Sequence, residues 1–342
     1  MRLLDGTQRL LRFPCTDFRC AEMGMDAFGY NVPNALMVSV LENELLKCEN
    51  VQRFDGKTME FEHVANHVQF TLDDGTSFTS QLAIAADGRH SLLRQSAKIA
   101  THAWSYPQTA IVLTFEHSLP HDAVSAEFHT ETGPFTQVPL PPTNKARHRS
   151  SLVWVVEPKA VLRILDMDLE QLSQTIEEKT QACFGRVTVE APPQSFPLSG
   201  MTARHFANSR TVLIGEAGHV LPPIGAQGFN LGLRDISDLG DCIKPLIDQD
   251  KPDFGSQTLL DTYDRKRRAD VHLRTAGVDI LNRTLLSSFL PVQAIRALGV
   301  TALGQVGWLR RLAMQQGLGQ PFQPPTFFNG KEKDPAAKSH SP

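Results

Sequence analysis

Cysteine is scarce in this chain of 342 residues. There are five, Cys15, Cys20, Cys48, Cys183 and Cys242, odd in number and scattered. No two stand at C-x-x-C spacing, which excludes a thiolate zinc site and the disulfide framework of a small secreted domain, and which suits a reducing, cytoplasmic compartment. Charge of one sign is lacking too: 34 basic residues face 37 acidic ones, for a net charge of −3, so a nucleic-acid partner has no electrostatic basis. Long apolar runs are missing. The opening MRLLDGTQRLLRF breaks its apolar residues with charges and has no signal-peptide core, and no stretch is long enough to span a bilayer. No G-x-S-x-G elbow and no Gly-Lys-Ser/Thr phosphate loop occur. His102, His117, His121, His129 and His148 have no metal-like spacing, so no metal site is expected. The one G-x-G is Gly317-Leu318-Gly319, without the third glycine of a pyrophosphate-cradling turn.

Residues 210–235, RTVLIGEAGHVLPPIGAQGFNLGLRD, are the most informative stretch present. An apolar run from Thr211 to Ile214 ends at Gly215 and acidic Glu216. Pro222 and Pro223 follow, then a Gly-rich turn from Gly225 to Gly228. Beyond it Leu231, Leu233, Ile236 and Leu239 recur at helical spacing. This is strand, polar loop, helix N-terminus. Such a turn gathers unpaired backbone N–H groups at the positive end of a helix dipole, which suits an anion or an electron-rich ring edge. An acid at the strand end suits a sugar or polyol hydroxyl. A second string, LAIAADGRHSLLR at 82–94, runs an apolar strand into Asp87-Gly88, with Ser91 placed to cap a short helix and with Arg89 and Arg94 where positive charge could meet phosphate.

Taken as strings, both stretches resemble motifs of the FAD-dependent aromatic hydroxylases. The first is similar to the family's second flavin motif, matching at Gly215, Ala217, His219, Pro223, Gly225, Gln227, Gly228 and Asn230. It departs at Glu216, where Asp is usual, and at Gly218, where Ala is usual. The second resembles the family's Asp-Gly motif. Within the family, phrases such as GFNLGLRD and WSYPQTA are similar to the ubiquinone-biosynthesis monooxygenases of the UbiH type. The resemblance implies an FAD site made of Asp87, Gly88, Arg89, Gly215, Glu216, Pro223, Gly225, Ala226, Gln227, Gly228 and Asn230, with Pro223 walling the isoalloxazine. Asn34 stands where the family often has a flavin-touching Gln or Arg, and a helix N-cap is an equal reading of it. His219 reads as a packing or loop-bonding residue. No acid/base residue is named, because the flavin carries the chemistry.

The implied fold class is mixed α/β: a Rossmann-like FAD-binding domain of the aromatic-hydroxylase type, interleaved with an antiparallel-sheet substrate domain and a helical C-terminal region. Residues 1–33 read as substrate-domain strands, and 34–100 as part of the FAD-binding domain, with the Asp-Gly motif in 86–94. Residues 101–205 read as the substrate domain, and 206–255 as FAD-binding domain again, with the second flavin motif at 215–230. Residues 256–328 read as helical and 329–342 as a disordered tail. Leu36, Val40, Leu41 and Leu45 stand at helical spacing over Ala35–Lys47, and Asp74-Gly75 marks a hairpin. Ala126, Phe128 and Thr130 alternate against Glu127, His129 and Glu131, as a sheet with one covered face requires. Asp168 to Phe184 reads as a helix. The basic run Arg265–Arg268, inside the pattern Leu259, Tyr263, Val271, reads as a solvated face. Trp104, Tyr106 and Phe135 are ring-pocket candidates with core packing as the default.

The family's opening G-x-G-x-x-G segment has no counterpart here, so the chain is expected to be N-terminally incomplete relative to its family and to bind FAD poorly as it stands. The implied activity is hydroxylation of a polyprenylated phenol, a ubiquinone precursor, with NAD(P)H and O2 as co-substrates. The alternatives are a flavin hydroxylase of a soluble aromatic compound and a catalytically incomplete fragment. Leu285–Leu318 is apolar and carries Arg296, Arg310 and Arg311. It reads as core or dimer packing, or as an element that rests on the inner face of a membrane or on other ubiquinone-biosynthesis proteins.

Overall fold

The computed structural model describes residues 1–7, 14–144, 146–222, 227–286 and 290–317. The chain divides into two compact units, the first holding residues 1–55, 104–199 and 277–319, the second residues 56–103 and 200–276.

The first unit is built on one sheet. The long strand Thr101–His117 lies beside Arg149–Val156, followed in order by Gly133–Leu140, Ala126–Thr130, Arg2–Asp5 and Thr16–Asp17. Val187–Val189 pairs with the other edge of the long strand. The ladders are antiparallel except one: Arg2–Asp5 runs parallel to Ala126–Thr130, with Leu4 opposite Phe128. The covered face carries Phe115, Phe128, Phe135, Leu152 and Trp154, and the helices Pro158–Leu165 and Leu169–Lys179 pack on it through Ile164, Leu172 and Ile176. Asp168 starts the second of these helices with a capping box closed by Gln171. That helix stops short of the predicted Phe184, because Gln181 and Ala182 turn to φ of 52° and 53° and cannot continue it. The predicted sheet over residues 1–30 holds only for its two short strands. Residues Cys20–Met23 form a 3-10 turn instead, and 8–13 lie outside the described residues.

The helix Asn34–Leu45 forms as the spacing predicts, yet none of its residues is buried. Its cap is Pro33, so Asn34 is its first residue and not its N-cap. The helices Leu290–Gln305 and Gly307–Gly317 complete the unit. There Arg310 pairs with Glu22 at 2.9 Å and donates to the carbonyls of Leu303 and Gly304.

The second unit contains a meander, Thr58–His63, Val68–Leu72 and Ser77–Ser80. Its second turn is the predicted Asp74-Gly75, with Gly75 at φ 83°. A separate small sheet pairs Ala83–Ala85 in parallel with Thr211–Leu213, and Ala207–Asn208 antiparallel on the other side. Ala83, Ala85 and Leu213 are buried with Leu93 and Ala217 on one face, while Ile84, pointing to the other, is 46% exposed. Helices Gln227–Ile247 and Gln257–Leu286 bury Leu231, Leu239, Leu259, Tyr263 and Val271 around Phe206 and Val212.

Candidate functional site

Both sequence motifs lie in the second unit, and the parallel ladder brings them together. Ala83–Ala85 ends at the Asp87-Gly88 turn, and Thr211–Leu213 ends at Gly215. The register Leu213–Ala85 sets the two strand ends side by side, and the Ile214 N–H donates to the Ala85 carbonyl at 3.0 Å. Each turn needs its glycine: Gly88 sits at φ 80° and Gly215 at φ 56°, where a side chain is strained. Asp87 is exposed, and its carboxylate accepts the N–H groups of Leu92 and Leu93 at 2.8 and 3.3 Å. Ser91 caps the helix Leu92–Ser96 through the Arg94 N–H at 2.9 Å, as expected.

Arg94 does not face outward to a phosphate. It is buried, and its guanidinium donates to the Ala217 carbonyl at 2.8 Å and the Arg89 carbonyl at 3.0 Å. It therefore bolts one motif to the other. Burial holds its pKa below the usual guanidinium value, with Asp87 opposing in part. Arg89 itself is half-buried at the turn.

The second motif is a 3-10 turn, Gly215–Ala217, followed by the short strand His219–Val220, which pairs with Met201 and Thr202. Glu216 is exposed at its tip. Gly218, the departure from the usual Ala, faces Phe206: a methyl built there would meet the ring at 2.9 Å. The buried Phe206 ring has taken that space. The helix Gln227–Ile247 begins at Gln227, and Gly228 and Asn230 are exposed in its first turn. Its Gly232 comes within 3.5 Å of the Gly215 Cα, measured from an ideal Cβ position, so the helix closes on the turn. Pro223, Gly225 and Ala226 lie outside the described residues. Asn34 belongs to the first unit, where it is exposed.

Beneath the turn lies a buried ionic cluster that sequence reasoning missed. The Asp235 carboxylate is fully buried and accepts from the Gly215 N–H at 2.8 Å and from His219 Nε2 at 2.7 Å. Arg267 Nε pairs with Asp235 Oδ1 at 2.7 Å, and its Nη1 reaches both Asp238 and Asp270. Tyr263 donates its hydroxyl to the Leu213 carbonyl at 2.7 Å, at the end of the motif strand. The expected solvated face at Arg265–Arg268 is thus wrong for Arg267, which is 1% exposed. The signal was present: Leu259, Tyr263, Arg267 and Val271 recur every fourth residue, so the helix carries Arg267 on its buried stripe. Burial lowers the Arg267 pKa, but the three aspartates outweigh it and the net shift is upward. Burial raises the Tyr263 pKa well above that of a free phenol. His219 bonds outside its loop, to Asp235 of the helix Gln227–Ile247.

Of the ring-pocket candidates, Phe135 is core at 0% exposure, and the Tyr106 hydroxyl donates to Asp279 at 3.0 Å. Among the described residues no group of His, Cys, Asp and Glu could hold a metal ion.

The described residues fit the flavin half of an FAD. An exposed carboxylate sits at the strand end beside the positive-φ Gly215, and the exposed first turn of a 21-residue helix carries Gly228, where an added methyl would meet open space.

A model of the FAD binding domain family matches residues 19–275. The chain is 34% identical to the ubiquinone hydroxylase UbiL of Rhodospirillum rubrum over 77% of its own length and 61% of that protein. It is 29% identical to the 3-demethoxyubiquinol 3-hydroxylase of Escherichia coli over 88% of its length and 76% of that protein. It thus spans about three fifths of the Rhodospirillum relative's length. In fold it is similar to the p-nitrophenol 4-monooxygenase PnpA of Pseudomonas putida, with a TM-score of 0.70 at 17% identity, covering 94% of this chain and 81% of that one.

Proposed function

The chain belongs to the FAD binding domain family, and on that premise we propose that it serves an FAD-dependent monooxygenase which hydroxylates the aromatic ring of a polyprenylated phenol in ubiquinone biosynthesis, using NAD(P)H and O2. One observation carries the reading: a relative 34% identical over 77% of this chain is a ubiquinone hydroxylase. The joining of the Asp87-Gly88 and Gly215–Asn230 segments into one place supports it.

In this reading Glu216 accepts a ribityl hydroxyl. Gly215, Gln227, Gly228 and Asn230, with Pro223, Gly225 and Ala226 of the same segment, hold the isoalloxazine and its pyrimidine edge. Asp87, Gly88 and Arg89 serve the pyrophosphate region and the nicotinamide co-substrate. The bound flavin supplies the electron transfer and the activation of O2. The positive end of the Gln227–Ile247 helix stabilises negative charge at the pyrimidine edge.

The test is turnover with a prenylated phenol in detergent, FAD, and either nicotinamide cofactor under isotopically labelled O2. The expected product carries one labelled oxygen on the ring. A protein that binds FAD and oxidises NAD(P)H, yet leaves the prenylated phenol unlabelled while a soluble phenol is labelled, overturns the substrate class.

An insoluble substrate calls for a membrane-surface position. No described helix is long and apolar enough to cross a membrane. On the helix Gly307–Gly317, Trp308 and Leu312 are 63% and 45% exposed one turn apart, with exposed Arg311 between them. Apolar area flanked by a basic residue suits reversible contact with anionic lipid. Sedimentation with anionic liposomes that falls with salt, and falls again in Trp308→Ser, is the expected result. Its absence at low salt favours delivery by a partner protein.

A further inference from the structure

Three imidazoles meet where the long strand of the first unit ends. His117 closes that strand, His121 lies in the loop after it, and His148 precedes the strand Arg149–Val156. Their ring centroids are 5.5, 6.0 and 6.1 Å apart, pair by pair. His121 is also a working part of its loop. Its Nδ1 accepts the Ala123 N–H at 3.1 Å, and its carbonyl accepts the Val124 N–H at 2.8 Å. We propose that His121 is the trigger of an acid-operated latch, which keeps the loop 118–125 closed while its ring is neutral and lets it open on protonation. The latch lies wholly in the first unit and is independent of the flavin reading.

The bond to Ala123 needs a lone pair. A protonated ring donates from both nitrogens and accepts at neither. One proton therefore turns the acceptor at Nδ1 into a second N–H, set against the Ala123 N–H. What this bond holds in place is strained. Asp122 and Ala123 stand at φ 49° and 55°, in the left-handed region that a residue with a Cβ enters only at a cost. Losing the bond leaves both residues free to relax. The remaining ties of the loop are backbone bonds at its rim, from Ser118 and Leu119 to the Arg186 and Phe184 carbonyls, and from the Arg2 N–H to the Ser125 carbonyl.

The surroundings favour the neutral ring. Burial lowers the His121 pKa and His148 lowers it further, while a bond to the Leu140 carbonyl and the charge of Asp122 oppose them in part. Burial lowers the His117 pKa as well, against a bond to the Leu119 carbonyl, and His121 and His148 add to the fall. The elements around the loop carry further charges. Glu116 lies on the long strand, and Arg147 and Arg149 flank His148, with Arg149 paired to Glu190. Arg186 and Cys183 follow the helix Leu169–Lys179, and Arg2, paired with Asp17, lies beside Ser125. Lys145, three positions before His148, lies outside the described residues. Among the described residues Asp122 is the one acid whose charge favours a protonated His121. A base that the fold holds below its ordinary pKa contributes full stability above about pH 6.5, and the contribution is lost as pH falls below that value. The loop is therefore closed at neutral pH and opens in acid.

The test is amide exchange at Ala123 and Val124 in the full chain, corrected for the intrinsic pH dependence of exchange, at about pH 7.5 and about pH 5. Protection at both amides should fall roughly ten-fold or more on acidification, while Leu172 and Ile176, buried in the helix Leu169–Lys179, keep theirs to within about two-fold. In His121→Asn the side-chain oxygen can still accept the Ala123 N–H but takes up no proton, and the loss should shrink to less than about two-fold. Ala123→Gly relieves the strain and should shrink the loss as well. A flat profile in the native chain overturns the proposal, and so does a His121→Asn variant as sensitive to acid as the native chain. Protection lost together at the loop and at the helix also overturns it, because that is unfolding of the whole unit. If His121→Asn does not fold, the native chain and Ala123→Gly still decide: a glycine variant that opens in acid as far as the native chain overturns the latch.

Discussion

Two helices of this molecule contradict their own composition in opposite directions. The helix Asn34–Leu45 is rich in Leu and Val, yet Leu36, Val38, Val40 and Leu41 are between 51% and 60% exposed and no residue of it is buried. The helix Gln257–Leu286 carries the charged run Asp264 to Asp270, yet it buries Tyr263 at 0% and Arg267 at 1%. Composition gave the wrong sign for both. In the second helix a stripe every fourth residue meets the strand end at Leu213 and the carboxylate of Asp235. The first helix has the repeat without a described neighbour to cover it. A periodic face is an offer, and burial depends on what the rest of the chain sets against it.

The comparison can be broken most sharply at Arg267. Arg267→Met leaves Asp235, Asp238 and Asp270 without their shared cation, and should destabilise the second unit by about 3–5 kcal/mol. A urea-unfolding midpoint equal to that of the native chain would show that the cluster is not a stabilising core. Next comes Leu259, on the same stripe at 4% exposure. Leu259→Ala should cost about 2–4 kcal/mol, by lost burial and the cavity left behind, and calorimetry would register a loss under 1 kcal/mol as a sign of an uncovered face. Tyr263→Phe removes the hydroxyl bond to the Leu213 carbonyl but keeps the ring. It should cost about 1 kcal/mol and speed amide exchange at Ile214, the next residue of the motif strand. The smallest effect belongs to the other helix. Leu41→Ser, at a side chain 60% exposed, should change stability by less than about 0.5 kcal/mol. A loss of the size seen at Leu259 would mean that something covers this helix in solution, and the contrast drawn above would fall.

The turns were legible because their chemistry is local. Gly75, Gly88 and Gly215 stand at positive φ where the strings D-G, D-G and I-G-E place them, and Ser91 caps where a Ser before an apolar run should. Asp168 does the same three residues before Gln171. These bonds close within a few residues, so no distant partner has to be known. The ends of helices were less legible. The stop after Lys179 comes from Gln181 and Ala182, neither of which is a residue that announces a left-handed turn. The strand Thr58–His63 alternates Met59 and Phe61 with Glu60 and Glu62 in its sequence, but so short an alternation does not name the strand it will pair with. It is held by its partner Val68–Leu72.

By itself, the sequence determined the kind of place this chain builds: two strands ending in glycine turns, an acid at one tip, and a long helix starting just beyond. Those features follow from backbone sterics and hydrogen bonds between near neighbours. Only the tertiary structure decided what holds that place together. It turned Arg94 inward to join the two motifs, put Phe206 where Gly218 leaves room, and set Arg267 under Asp235 from 32 positions further along the chain. The physical reason is that a charge in a string carries no record of its neighbours. Whether an arginine is solvated or the buried counter-ion of a carboxylate depends on groups that only folding brings within 3 Å.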